Sequence, residues 1–271
     1  MCEHYIARAA EPFRLDELWP FTERLEHFGM AGFGWGAAWV AADGRLCSYR
    51  DIRAFGDDPA RERLGAIETT AALVHLRRPS KFSTMTLADT QPFDDPAGRY
   101  AFSHNGDLRD YKALRGRLRA EGRIHGRADT EVGARWLEDA WQPGEPVAHL
   151  LAAMHDRFGG QANLALLAAD GTPHHYAGNE ENPVFAFRLG RIGLVSTGIY
   201  SLDRSLFRLV APGATDRRFV RPRTTVGLDR DGAAIATAQD AAGGSGDESD
   251  VTSRHGAASI RRPPATKEHM G

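Results

Sequence analysis

Only two cysteines, Cys2 and Cys47, occur among 271 residues, too few for a disulfide scaffold. Lysine is nearly as scarce. Lys81, Lys112 and Lys267 are the only three, and arginine makes up the rest of the 34 basic residues. Against 36 acidic residues these leave a formal net charge of -2, so no global field recruits nucleic acid or a membrane surface. The densest basic cluster, Arg217, Arg218, Arg221 and Arg223, is interleaved with Val220 and Pro222 and reads as a solvated strand or loop. No apolar run approaches the roughly 20 residues of a membrane span. No charged and then apolar leader opens the chain, so the expected compartment is the cytoplasm. Neither Gly-x-Gly-x-x-Gly nor a Walker pattern occurs, which removes the usual nucleotide-phosphate cradles.

What is present is an apolar pattern sufficient for a sizeable core, with 42% hydrophobic residues. Residues 2–9 read as a strand. Leu15, Leu18, Phe21, Leu25 and Phe28 lie at helical spacing, with Pro20 predicting a kink and Gly29 a C-terminal cap. Asp43-Gly44 signals a hairpin between two strands within 34–53. Thr69 to Arg77 reads as a buried strand, and Cys47, in Leu46-Cys47-Ser48, as a buried structural thiol. Residues 78–98 read as a long loop, a length usually reserved for function. Tyr100 to His104 reads as a strand ending in a turn at Asn105-Gly106. Helices are predicted over 108–120, from near Asp129, and over 146–158. Strands return at 163–169, 173–177, 184–189 and 192–196, with two more near 218–220 and 224–229. Strands, then helices, then strands favour an α+β layered domain over an alternating one. From about Ala236 the chain is rich in Gly, Ser, Asp and Ala, and residues 236–271 are expected to be a disordered tail.

Cys2 follows Met1 directly. Removal of Met1 would leave a thiol and a free α-amine on one residue. With pKa values of about 8.5 and 7.7–8.0, the amine can take the thiol proton, so nucleophile and base coincide. Behind Cys2 come Gly34-Trp35-Gly36, His75-Leu76-Arg77, His104-Asn105-Gly106-Asp107-Leu108 and Asp129-Thr130-Glu131, in that order. In this the chain resembles the class II glutamine amidotransferases of the N-terminal-nucleophile hydrolases, and among them the small free-standing members, over roughly residues 2–235.

The resemblance implies a four-layer αββα sandwich of two mainly antiparallel sheets and hydrolysis of a γ-glutamyl amide with no cofactor or metal. It assigns Cys2 as the nucleophile that forms a γ-glutamyl thioester, and Asn105 and Gly106 as the oxyanion donors. It assigns Arg77 to the substrate α-carboxylate and Asp129 to the α-ammonium. By strand alternation Arg77 and Arg78 point to opposite faces. Asp129, just ahead of a helix, also suits an N-cap. Trp35 reads as packing, its flanking glycines as sites of close backbone approach near the Cys2 strand, and the loop after Arg77 as a lid. Three departures from the family stand out: Glu3-His4-Tyr5-Ile6 after the nucleophile, Gln91 before Pro92, and Ala128 before Asp129. The partner implied is glutamine or a larger γ-glutamyl compound, with ammonia passing to a separate synthase subunit or simply released. A rival of another class is a non-catalytic module binding a ligand or zinc through Cys2, His4, His75 and His104.

Overall fold

The computed structural model of the chain describes residues 2–199 and 205–236. Met1 and most of the tail expected over 236–271 lie outside the described residues. Strand β1 (Glu3–Arg14) is followed by a 3-10 turn, helix α1 (Trp19–Gly29), the hairpin β2 (Trp35–Val40) and β3 (Leu46–Asp51), helix α2 (Ala60–Gly65) and β4 (Glu68–Leu76). A long connection carrying β5 (Phe93–Asp94) leads to β6 (Tyr100–Leu108) and then to α3 (Lys112–Ala120), α4 (Asp129–Ala140) and α5 (Val147–Phe158). Next come β7 (Gly160–Ala168), β8 (Pro173–Tyr176), β9 (Val184–Leu189) and β10 (Ile192–Thr197). The described elements end with α6 (Leu206–Val210), β11 (Thr215–Phe219), β12 (Thr225–Leu228) and β13 (Ala234–Ala236).

The strands form two sheets, ordered β11-β9-β10-β1-β4-β2-β3 and β13-β12-β8-β7-β6-β5. β1 and β4 lie inside the first sheet, antiparallel to each other, with His4 opposite His75. β6 and β7 lie inside the second, antiparallel, with Asn105 opposite Asn163. Alternation along each strand sends side chains to opposite faces, and the burial follows it. Tyr5, Ala7, Ala72, Val74 and Leu76 pack outward beneath α1 and α6, with Phe21, Leu25 and Phe207. Tyr100, Phe102, Leu164 and Leu166 pack outward beneath α4 and α5, with Val132, Leu137 and Phe158. Ile6, Ala71, Leu73, Ala101, Ala165 and Leu167 fill the space between the sheets. The result is the four-layer αββα sandwich. Alanine is frequent in the middle layer, and small side chains there let two sheets approach closely.

Several local expectations are corrected. β1 runs to Arg14, well past residue 9. Pro20 lies in the first turn of α1, where its missing N–H costs nothing, so it starts the helix and does not kink it. Met30, not Gly29, takes the left-handed position that closes it (φ 52°). Gly29 is needed because a Cβ there would sit 2.7 Å from Glu3 Cγ. Asn105-Gly106 is not a turn: β6 continues through both to Leu108. Cys47 is only half buried on edge strand β3. Trp35 is core, its Nε1 donating to Asp58 Oδ2 at 3.0 Å. Gly36 permits close approach of Gln91, whose carbonyl oxygen lies 2.2 Å from where a Cβ would stand, so its contact is with the 78–98 connection. Among the described residues no helix is long and apolar enough to cross a membrane.

Candidate active site

Cys2 stands one residue ahead of β1, where that strand and β4 end side by side. Its Sγ accepts the Arg78 N–H at 3.4 Å and faces the Arg78 carbonyl oxygen at 3.7 Å. Burial pushes the thiol pKa up, while the Arg78 N–H and the nearby Arg77 charge pull it back. Cys2, Arg77, Gly106 and Asp129 line one cavity of about 260 Å³. Four of the five predicted site residues, separated by up to 127 positions in sequence, are thus brought together by the ends of β1, β4, β6 and the start of α4.

Asn105, the fifth, is fully buried beneath that cavity. Its Oδ1 accepts from Asn163 Nδ2 at 3.2 Å and Asn179 Nδ2 at 3.4 Å. Two amide donors on one side leave its own Nδ2 aimed the other way, and that group donates to the Cys2 carbonyl. Gly106 follows with φ +123°, and a Cβ there would stand 1.6 Å from the Gln161 carbonyl oxygen. Only glycine fits.

Arg77 emerges from β4 with its main chain tied to Gly34 and Phe33. Its guanidinium donates to the Thr86 carbonyl at 3.2 Å, to Thr90 Oγ1 at 3.1 Å and to the Thr84 carbonyl. A guanidinium has five N–H donors, so three bonds to protein leave two for a ligand. The same bonds clamp the connection after β4, and Asp89, Thr90 and Gln91 are buried there. Its tip stays open, with Phe82 80% exposed. Asp129 is the first residue of α4, and Ala128 occupies the N-cap position. The Asp129 carboxylate accepts the Leu108 N–H at 2.7 Å and the Thr130 N–H at 2.9 Å. It therefore ties the end of β6 to the start of α4, and does not act as the cap.

Residues that the motifs did not point to complete the surroundings. Gln91 Nε2 donates to the His104 carbonyl at 3.1 Å and to Thr130 Oγ1 at 3.2 Å, and its Oε1 accepts the His104 N–H at 2.6 Å. Asn182 donates to Glu3, whose carboxylate also receives the Thr197 hydroxyl. A buried polar group in an apolar strand must find partners. Asn163, between Ala162 and Leu164, was the available signal. His4, His75 and His175 gather between the sheets. The ring centroids of His4 lie 6.5 Å from His75 and 4.8 Å from His175, and His4 Nδ1 pairs with Ser103 Oγ at 2.9 Å. Burial lowers all three pKa values, which favours the neutral form. His104 lies on the opposite face of β6, its Nδ1 3.1 Å from Thr130 Oγ1. The residues of the zinc alternative do not converge as ligands. Among the described residues no group of three or more His, Cys, Asp or Glu is arranged to hold a metal ion.

Residues 78–179 match the family model described as "Glutamine amidotransferase domain". Two archaeal proteins named "Glutamine--fructose-6-phosphate aminotransferase [isomerizing]", from Halobacterium salinarum and Aeropyrum pernix, are each 28% identical to the chain, over 147 and 146 residues. These matches cover 54% of the chain but only 24% and 23% of the relatives, so the chain spans about a quarter of their length. Among solved structures, the glutamine phosphoribosylpyrophosphate amidotransferase from B. subtilis superposes with a TM-score of 0.66 at 18% identity. That match covers 87% of the chain and 49% of the other protein. A glutamine aminotransferase class-II domain protein from Silicibacter pomeroyi superposes with a TM-score of 0.57 at 17% identity, over 86% of the chain and 98% of that protein. At such identities the structures speak to the fold alone, and the family likeness rests on the matched segment, residues 78–179. By segment the chain is similar to glutamine amidotransferase domains, and by fold it shares the four-layer sandwich of the solved class II enzymes.

Proposed function

We propose that the chain hydrolyses a γ-glutamyl amide through Cys2, with glutamine as the simplest substrate. One observation carries the reading: Cys2, Arg77, Gly106 and Asp129 share a single cavity, with Asn105 donating to the Cys2 carbonyl from below. The substrate α-carboxylate is assigned to the two free N–H groups of Arg77, and the α-ammonium to Asp129. With Met1 removed, the Cys2 α-amine takes the thiol proton and Sγ attacks the amide carbon. The oxygen that becomes negative is met by the second Nδ2–H of Asn105 and the Gly106 N–H, each such donor worth about 3–4 kcal/mol in a transition state. The S–C bond forms, the C–N bond breaks, and the amine leaves with the proton that the thiol gave up. Water then cleaves the thioester to glutamate and restores the thiol. The residues invoked include no metal ligand set and no cofactor contact.

Two fates remain for the amine. Ammonia passes to a separate synthase subunit, or the chain is a free amidohydrolase of a larger γ-glutamyl compound. The compartment assigned to either is the cytoplasm. The test is covalent. A diazo-ketone analogue of glutamine should add one adduct, on Cys2 and not on Cys47, and Cys2→Ala should lose both adduct and hydrolysis. Adduct only on Cys47, or undiminished hydrolysis in Cys2→Ala, overturns the assignment.

A further inference from the structure

Free glutamine carries one cationic and one anionic group at its α-carbon and a neutral amide. The cavity offers more. Besides Arg77 it is lined by three further cations, Arg78, Lys81 and Arg127, and by Asp89, Asp107 and Asp129. Two of the acids are occupied by the protein itself. Asp89 receives the Thr86 hydroxyl at 2.9 Å and the Ala128 and Arg127 N–H groups. Asp129 receives the Leu108 and Thr130 N–H groups. Among the described residues, the side chains of Arg78, Lys81 and Arg127 make no ion pair or hydrogen bond, and neither does that of Asp107. Bonds from neutral N–H and O–H groups leave those carboxylates charged, so the wall carries four cations against three carboxylates, an excess of one positive charge that zwitterionic glutamine does not balance. Arg78 is the closest of them in chain terms, since its own N–H touches Sγ.

We infer that the preferred substrate is a γ-glutamyl amide whose amine portion carries an additional carboxylate. This rests on the amide hydrolysis proposed above. The amide nitrogen is the atom that can bear an extension without giving up either α-group, which Arg77 and Asp129 hold. A neutral extension would leave that excess charge unbalanced. An anionic one gains its attraction at a partly enclosed site, where charges are screened less than on open surface.

The experiment compares kcat/KM of the purified protein for γ-glutamylglycine and γ-glutamylmethylamide, which differ by one distal carboxylate, with glutamine as reference. The ratio of the first to the second should be about tenfold at low ionic strength, the size of a modest charge–charge contribution. It should shrink toward one in ~0.5 M salt. In Lys81→Ala/Arg127→Ala, two exposed positions, the ratio should also approach one at low salt. A ratio near one in the parent protein overturns the inference, as does a high ratio that survives both the salt and the double substitution. If none of the three compounds is cleaved, glutamine included, the amide-hydrolysis reading falls and takes this one with it.

Discussion

His175 makes a sharp test of how the two sheets are held together. It is fully buried between them, and neither ring nitrogen has a hydrogen-bond partner. Burial lowers its pKa from 6.5 to about 3, the Tyr176 main chain pulling weakly the other way. His174, on the other face of β8, is lowered by burial to about 4. A histidine depressed in the folded state weakens the fold as pH falls: the unfolded chain takes up a proton below pH 6.5 that the folded chain cannot hold. pH 5 lies 1.5 units below the unfolded value of 6.5 and above both folded values, so each imidazole removes about 2 kcal/mol at about 1.4 kcal/mol per unit. The pair removes about 4 kcal/mol, a large share of the roughly 5–15 kcal/mol of a typical domain. His4, His75 and His104 act in the same direction. Urea unfolding at pH 7 and pH 5 measures the loss directly. His175→Leu removes one titrating group and two unpaired buried nitrogens. Its stability difference between the two pH values should be about 2 kcal/mol smaller than the parent's. An unchanged difference in that variant, or a parent equally stable at both pH values, refutes the reasoning.

Gly106→Ala should lose at least about 3 kcal/mol in thermal or urea unfolding, together with turnover, because both φ +123° and the Gln161 carbonyl exclude a Cβ. Gly116→Ala, with open space around it inside α3, should instead gain up to about 1 kcal/mol; equal effects at the two glycines would discredit the close approach at Gly106. Arg77→Ala should raise the KM for glutamine by at least about tenfold, far more than Arg78→Ala. It should also lower stability, since the Thr84 and Thr86 carbonyls lose their donor. β4 ends at Leu76 and both arginines line the cavity, so if Arg78→Ala is the variant that damages glutamine binding, the α-carboxylate is held by Arg78 and not by Arg77.

Motif order, through the resemblance to the class II glutamine amidotransferases, was enough to propose Cys2, Arg77, Asn105, Gly106 and Asp129 as the site and to suggest the layered sandwich. Strand periodicity and the apolar faces of α4 and α5 were equally legible, since local pattern dictates them. What no local pattern contains is the meeting of strand ends from distant parts of the chain. Asn105-Gly106 looks like a turn in isolation, and only the pairing of β6 with β7 keeps it extended and presses Gly106 against Gln161. Asp129 looks like a cap, and only the neighbouring end of β6 draws its carboxylate to the Leu108 N–H. The bracing of Asn105 by Asn163 and Asn179 was hidden for the same reason, as was the seating of Arg77 among Thr84, Thr86 and Thr90. A hydrogen bond across tens of residues depends on where the sheet brings its ends, and the side chain alone does not encode that. Sequence determined which groups could do the chemistry; the packing of one sheet on the other decided which way each of them points.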